Sequence, residues 1–291
     1  SNEDFIASAF YAYSTSLVIQ AGTVLGEDVS ALSTLYENIV NTFQKTWPTY
    51  HTQTECVLAA HFKLAKNCQA AADQLADMVR ACGTKLQTGF VGTPYLLHVL
   101  SDYGHTDLAW DLLLRTKYPS WLYPVTKGAT TIWELWNGNT ADPAMNSGNH
   151  VMLLGDFLPY CYQHLAGIRN AAPGFKEIQM KPAFELEEVG FIRASHITPY
   201  GKVTSNWSQT AAGYSWEISV PANSTATIWL PNADTSALTE NGKPLKQSEG
   251  LQILRQEDRY TVCKIGSGKY NFQIKKNISY GKGRKGLLED D

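Results

Sequence analysis

The apolar pattern of this chain changes period once, around Pro173-Gly174. Before that point apolar residues recur at helical spacing, and after it they alternate in short runs. Phe5, Ile6, Ala9, Phe10, Tyr13 and Leu17 open the helical part, which runs from residue 3 to about 168. Asp28 is placed to cap a second helix that carries Leu32, Leu35, Ile39 and Phe43 along one side. Further helices are expected over Thr54–Ala65, Gln69–Cys82, Pro94–Tyr103 and Thr106–Leu114, with Gly83 and Gly104 as stop signals. A last helix is expected from Asn146 to Ala166, kinked or split at Pro159.

Strands are expected over Glu177–Met180, Phe191–Thr198, Val203–Trp207, Tyr214–Val220, Ala226–Leu230, Leu251–Leu254, Arg259–Ile265 and Tyr270–Ile274. Turn signals such as Asn241-Gly242 and Gly266-Ser267-Gly268 separate many of them. That spacing predicts an antiparallel β-sandwich. The chain's 291 residues fit two domains, with boundaries at 1–168 and 169–276 and a poorly ordered tail over 277–291. The fold class is therefore mainly α plus β. Trp207, Trp216 and Trp229 lie in alternating strands and read as core.

Composition excludes some functions. A net charge of -3 argues against a nucleic-acid footprint. No run of about 18 apolar residues suggests a membrane-spanning helix. The five cysteines form no CxxC pair, which favours buried free thiols over a metal or disulfide framework. No cofactor motif is present, whether Walker loop or GxGxxG. Ser1-Asn2-Glu3-Asp4 lacks the features of a signal peptide and leads at once into a helical pattern, so the native protein is expected to start further upstream and its compartment stays open.

Chemistry concentrates in the long loop from Trp121 to Asn146, and above all in Trp133-Glu134-Leu135-Trp136. Indole faces stack on sugar rings, and a carboxylate between them can take a proton from water. The same residues also fit a partly buried glutamate beside core aromatics. His150 follows that loop closely, so a site role competes with a structural one. Glycoside hydrolysis needs a second carboxyl group. Asp142 and Asp156 are nearest in sequence, Asp102, Asp107 and Asp111 punctuate helices, and none stands out as the acid. The remaining histidines, His98 and His164 among them, sit inside helices, in a strand or at turns.

A set of segments resembles the bacterial α-L-rhamnosidases, glycoside hydrolase family 78. In order they are His51-Thr52-Gln53-Thr54, Thr88-Gly89-Phe90-Val91-Gly92-Thr93-Pro94-Tyr95-Leu96-Leu97, Tyr118-Pro119-Ser120-Trp121 and Gly128-Ala129-Thr130-Thr131-Ile132-Trp133-Glu134. Met145-Asn146-Ser147, Asn149-His150, Ala166-Gly167-Ile168, Thr198-Pro199-Tyr200-Gly201 and Val220-Pro221-Ala222-Asn223 follow. The resemblance implies part of an (α/α)6 barrel followed by a C-terminal antiparallel β-sandwich. It implies inverting hydrolysis of terminal α-L-rhamnosides without a metal or other cofactor, on a rhamnose-containing glycoside as partner. Glu134 matches the general base, His150 a sugar-contacting histidine, and Trp133 and Trp136 the aromatic surroundings.

The general acid of such enzymes belongs to an upstream part of the barrel, and no position here matches it. Uncovered barrel faces would then favour self-association. The alternative is a non-catalytic sugar-binding or interaction remnant. A different (α/α)6 glycosidase or a polysaccharide lyase fits less well, because no Tyr/His or Arg constellation is evident.

Overall fold

The computed structural model describes residues 1–276 other than 143, 145 and 151–156. The chain divides into two compact units, Ser1–His164 and Leu165–Asp291.

The first unit is built from helical hairpins. Its helices are α1 (Glu3–Leu25), α2 (Ser30–Thr46), α3 (Gln53–His61), α4 (Cys68–Ala81), α5 (Thr93–Asp102), α6 (Thr106–Leu114) and the single turn α7 (Tyr123–Thr126). Consecutive helices pack as pairs, α1 on α2, α3 on α4 and α5 on α6. The first members also touch one another, α1 on α3 and α3 on α5. Hence α3 is enclosed, and Gln53 through Ala60 are all buried.

Local chemistry sets the helix starts. The Asn2 side chain accepts the backbone N–H groups of Asp4 and Phe5, and Gly26 closes α1 in the left-handed region at φ 77°. Thr52 accepts the N–H of Glu55, while the Glu55 carboxylate accepts the N–H of His51 at 2.7 Å, a close variant of the capping box. Asp28 acts one residue earlier than expected. It accepts the N–H of Ser30 at 2.9 Å, and the helix begins at Ser30.

The helix expected from Asn146 does not start there. Residues 146–150 are non-helical and pair with 131–134. Asn146-Ser147-Gly148-Asn149 is turn chemistry, whose short polar side chains compete with helical bonding. The described chain resumes as helix at 157–160, where Pro159 lies, and continues as a π-type turn over Cys161–Leu165. His98 Nδ1 and His164 Nε2 stand 3.1 Å apart and the Tyr160 hydroxyl is 3.0 Å from Ser101 Oγ, tying this segment to α5.

The second unit is a two-sheet sandwich. Its strands are β1 (Ile168–Asn170), β2 (Glu177–Met180), β3 (Phe191–Thr198), β4 (Gly201–Thr210), β5 (Gly213–Val220), β6 (Thr225–Leu230), β7 (Leu238–Glu240), β8 (Lys243–Pro244), β9 (Leu251–Glu257), β10 (Tyr260–Ile265) and β11 (Gly268–Lys275). One sheet runs β1-β2-β6-β10-β9 and the other β3-β4-β5-β11-β7-β8. The sandwich is not wholly antiparallel as expected, because β2 and β6 pair in parallel. The chain passes through β3, β4 and β5 of the other sheet before it returns to lie beside β2, and that crossover permits parallel pairing.

The sandwich core gathers Ile178, Met180, Trp207, Trp216, Ile218, Ile228 and Phe272. Each such side chain contributes roughly 1.5–3 kcal/mol by burial. Phe184 sits 5.2–5.3 Å from the Trp207, Tyr214 and Trp216 rings. The indole donors are also satisfied. Trp207 donates to the Leu165 carbonyl at 2.9 Å, and Trp216 donates to Ser205 Oγ, which donates to the Ala166 carbonyl at 2.7 Å. Trp229 departs from the core reading. It is only half-buried and lies under the Lys181 ammonium, 6.0 Å from the ring centre. All five cysteines are free thiols, but only Cys56 and Cys263 are buried, because the other three lie near helix or turn ends.

Candidate functional site

The segment around Glu134 is held by a short antiparallel pairing with residues 147–150. The Glu134 N–H donates to the Ser147 carbonyl at 3.0 Å, and the His150 N–H donates to the Ile132 carbonyl at 2.6 Å. Thr131 Oγ1 donates to the Gly148 carbonyl at 2.5 Å. These bonds place Glu134 and His150 on the same pair of segments.

The Glu134 carboxylate is divided in its duties. Oε2 accepts the Ser147 N–H at 2.7 Å. Oε1 has no hydrogen-bond partner among the described residues. One oxygen thus fixes the orientation of the group and the other is left to meet water or ligand. A backbone N–H is a rigid donor, so the anchor does not depend on a side-chain rotamer.

The two indoles beside Glu134 have separate supports. Trp133 lies on Gly138, where an added Cβ would stand 2.7 Å from two atoms of the indole. Trp136 meets Trp121 edge to face, with ring centres 5.7 Å apart. Trp121 is 6% exposed and its Nε1 is buried with no partner among the described residues. The His150 ring packs 5.1 Å from Phe90, and its Nδ1 is likewise buried with no partner among the described residues.

Phe90 rides on the Gly89–Pro94 turn, closed by a Thr93 N–H to Gly89 carbonyl bond of 2.9 Å. Gly92 lets that turn press on α3, since a Cβ there would lie 2.9 Å from Thr54 Oγ1. Gln53 secures the preceding stretch. Its amide donates to the Lys85 carbonyl and accepts the Gln87 N–H. The segments around Gln53 and Gly89 therefore carry the wall on which Phe90 and His150 meet.

Of the other acidic candidates, Asp142 is committed to its own turn, accepting the Ala144 N–H at 2.9 Å. Asp107 lies in the first turn of α6. Asp102 is 3.9 Å from His164 Nε2. Asp156 lies outside the described residues. Ser147, Phe90 and Trp121 were not singled out from sequence as site residues. Each sat within a segment quoted for the family resemblance, and that was the signal that could have found them.

Among the described residues no cluster of three or more His, Cys, Asp or Glu could hold a metal ion, and no helix is long and apolar enough to cross a membrane.

Residues 1–165 match the family described as the bacterial alpha-L-rhamnosidase 6 hairpin glycosidase domain. The chain belongs to the bacterial α-L-rhamnosidase family. Residues 167–244 match the C-terminal domain of the same family. An α-L-rhamnosidase of Streptomyces avermitilis is 34% identical over 285 residues, covering 94% of this chain and 27% of its own length. One of Formosa agariphila is 31% identical, covering 95% of this chain and 31% of its own. The crystal structure of the Streptomyces avermitilis α-L-rhamnosidase complexed with L-rhamnose superposes with a TM-score of 0.85 at 33% identity, over 94% of this chain and 27% of that one. The α-L-rhamnosidase from Dictyoglumus thermophilum gives 0.82 at 28% identity, over 92% and 31%. The chain thus spans less than a third of the relatives it matches.

Proposed function

We propose that this chain carries the water-activating side of a glycosidase active centre that hydrolyses terminal α-L-rhamnosides with inversion. The observation that carries the reading is the division of labour at Glu134, one oxygen held by the Ser147 N–H and the other left open. In this role Oε1 removes a proton from a water molecule as that water attacks the anomeric carbon. His150 contacts the sugar, and Trp133 and Trp136 shape the apolar wall against its ring. The Nδ1 of His150 supports that assignment, because it is buried without a partner among the described residues, and a buried polar atom of this kind calls for one.

Inversion requires a second carboxyl group about 6.5–9.5 Å away to protonate the leaving oxygen. The reading assigns that proton to a residue outside the present sequence, in the remainder of a longer polypeptide. Self-association through uncovered helix faces belongs to the same reading.

The test is the Glu134→Gln substitution in the complete polypeptide, assayed on p-nitrophenyl α-L-rhamnoside. Turnover is expected to fall by about 10²-fold or more, the usual scale for a lost general base. Near-normal turnover would remove Glu134 from the role. Rhamnose binding without hydrolysis by the unaltered complete polypeptide would favour a non-catalytic sugar-binding protein instead.

A further inference from the structure

The outward face of the six-stranded sheet in the second unit carries a cavity of about 620 Å³. Its floor is the first half of β4, the last half of β5 and the start of β11. From β4 come Lys202, Thr204 and Asn206, from β5 Glu217 and Ser219, and from β11 Lys269 and Asn271. Their neighbours along the strands, Val203, Trp207, Ile218 and Phe272, point the other way into the core.

Register aligns these polar side chains into rows. Asn206 lies opposite Glu217, and Glu217 opposite Asn271. Beside them Thr204 lies opposite Ser219, and Ser219 opposite Lys269. Strands stand about 4.8 Å apart, so each row repeats donors and acceptors on the scale of a pyranose ring.

Most groups in these rows are uncommitted; Asn271 alone among them is engaged, its Oδ1 accepting from the Gln273 amide at 3.3 Å while its own amide group stays available. Among the described residues, the side chains of Lys202, Thr204, Asn206, Glu217, Ser219 and Lys269 make no hydrogen bond or ion pair within the chain. A carboxylate flanked by carboxamides, with hydroxyls and ammonium groups alongside, suits a ligand that both donates and accepts at many points. An extended peptide that pairs by backbone is excluded, because β4, β5 and β11 are each bonded to strands on both sides. Two lysines against one glutamate give the cavity a surplus of positive charge.

We propose that this sheet face is an oligosaccharide-binding site for a glycan containing acidic sugars. Glu217, Asn206 and Asn271 would bond the hydroxyls of the chain, and Lys202 and Lys269 its carboxylate. The site lies wholly within the second unit and does not depend on Glu134.

The test is binding of the purified chain to an array of uronate-containing and neutral oligosaccharides, with affinities then measured by calorimetry for the retained glycans. Retention on uronate-containing glycans is expected, weakened about tenfold or more by Asn206→Ala with Asn271→Ala. Lys202→Ala with Lys269→Ala should reduce the preference for acidic over neutral chains by a similar factor. These side chains are not part of the core, so an unchanged thermal midpoint checks that each variant is folded. Glu134→Gln should leave this binding unchanged. No retained glycan, retention of neutral chains only, or binding indifferent to both pairs of substitutions overturns the proposal.

Discussion

Gly138 shows how tightly single residues define the candidate site. Its lack of a Cβ is what lets the Trp133 indole lie on the loop beside Glu134. Alanine there would push the indole aside, because the clash is with ring atoms near their attachment and not with a flexible tip. Displacements near 1 Å in a positioned site can cost on the order of 10²-fold in rate. Gly138→Ala in the complete polypeptide should therefore lower kcat/KM on p-nitrophenyl α-L-rhamnoside by tenfold or more, while the thermal midpoint moves little. A second residue-scale prediction concerns His61. Burial chiefly, with help from Lys63 and against the pull of Asp102, holds its imidazole below the ordinary value. The folded form thus resists a proton that the unfolded chain accepts. Stability is unaffected by this group above about pH 6.5 and falls as pH drops below that value toward the lowered folded value. Urea midpoints should decline between about pH 7 and pH 5, and His61→Gln should make the decline shallower. An unchanged slope in the variant would remove His61 as a source of the dependence.

Elements were legible where one chemical signal decided them. The start of α5 follows from Pro94, a first-turn signal visible in sequence, whereas the caps Asn2 and Thr52 of α1 and α3 are identified by the fold. The longer strands follow from alternation. The segment 146–150 departs from helix because it bonds to 131–134, which lies more than a turn away in sequence, and no local pattern announces that pairing. Strands β1, β7 and β8 are too short to show a period, and the parallel contact of β2 with β6 is a property of the crossover and of neither strand. Ser205 is another case. In sequence it is one serine in a strand, yet in the fold it links the Trp216 indole to the Ala166 carbonyl, wholly buried. Ser205→Ala leaves both groups unpaired and should cost about 1–3 kcal/mol. In a Trp216→Phe background the cost should shrink, because the donor is already gone. Chemical denaturation of the four variants of this cycle measures the difference. Additive costs would show that the hydroxyl acts through some other contact.

At the scale of the whole molecule, the change of period at Pro173-Gly174 told a helical part from a β part, and the resemblance named both. The candidate site at Glu134 stands out in sequence as a carboxylate between indoles, whereas the Ser147 N–H that holds the carboxylate does not, since a backbone bond leaves no compositional mark. What α1 does with its surface is a property of the molecule and not of the helix alone. It buries Phe5, Ala9, Ala12 and Thr15 yet leaves Leu17, Val18, Val24 and Leu25 exposed, Leu25 at 76%. A helix with apolar residues on more than one side is normally covered on more than one side. In a solution of this chain alone, a second copy is the available cover. Sedimentation velocity should then show a mass that rises with concentration, and Leu17→Glu with Val24→Glu should hold the chain as a monomer without lowering its helix content. If the unaltered chain stays monomeric across the same range, α1 does not mediate self-association, and its exposed face awaits cover of another kind.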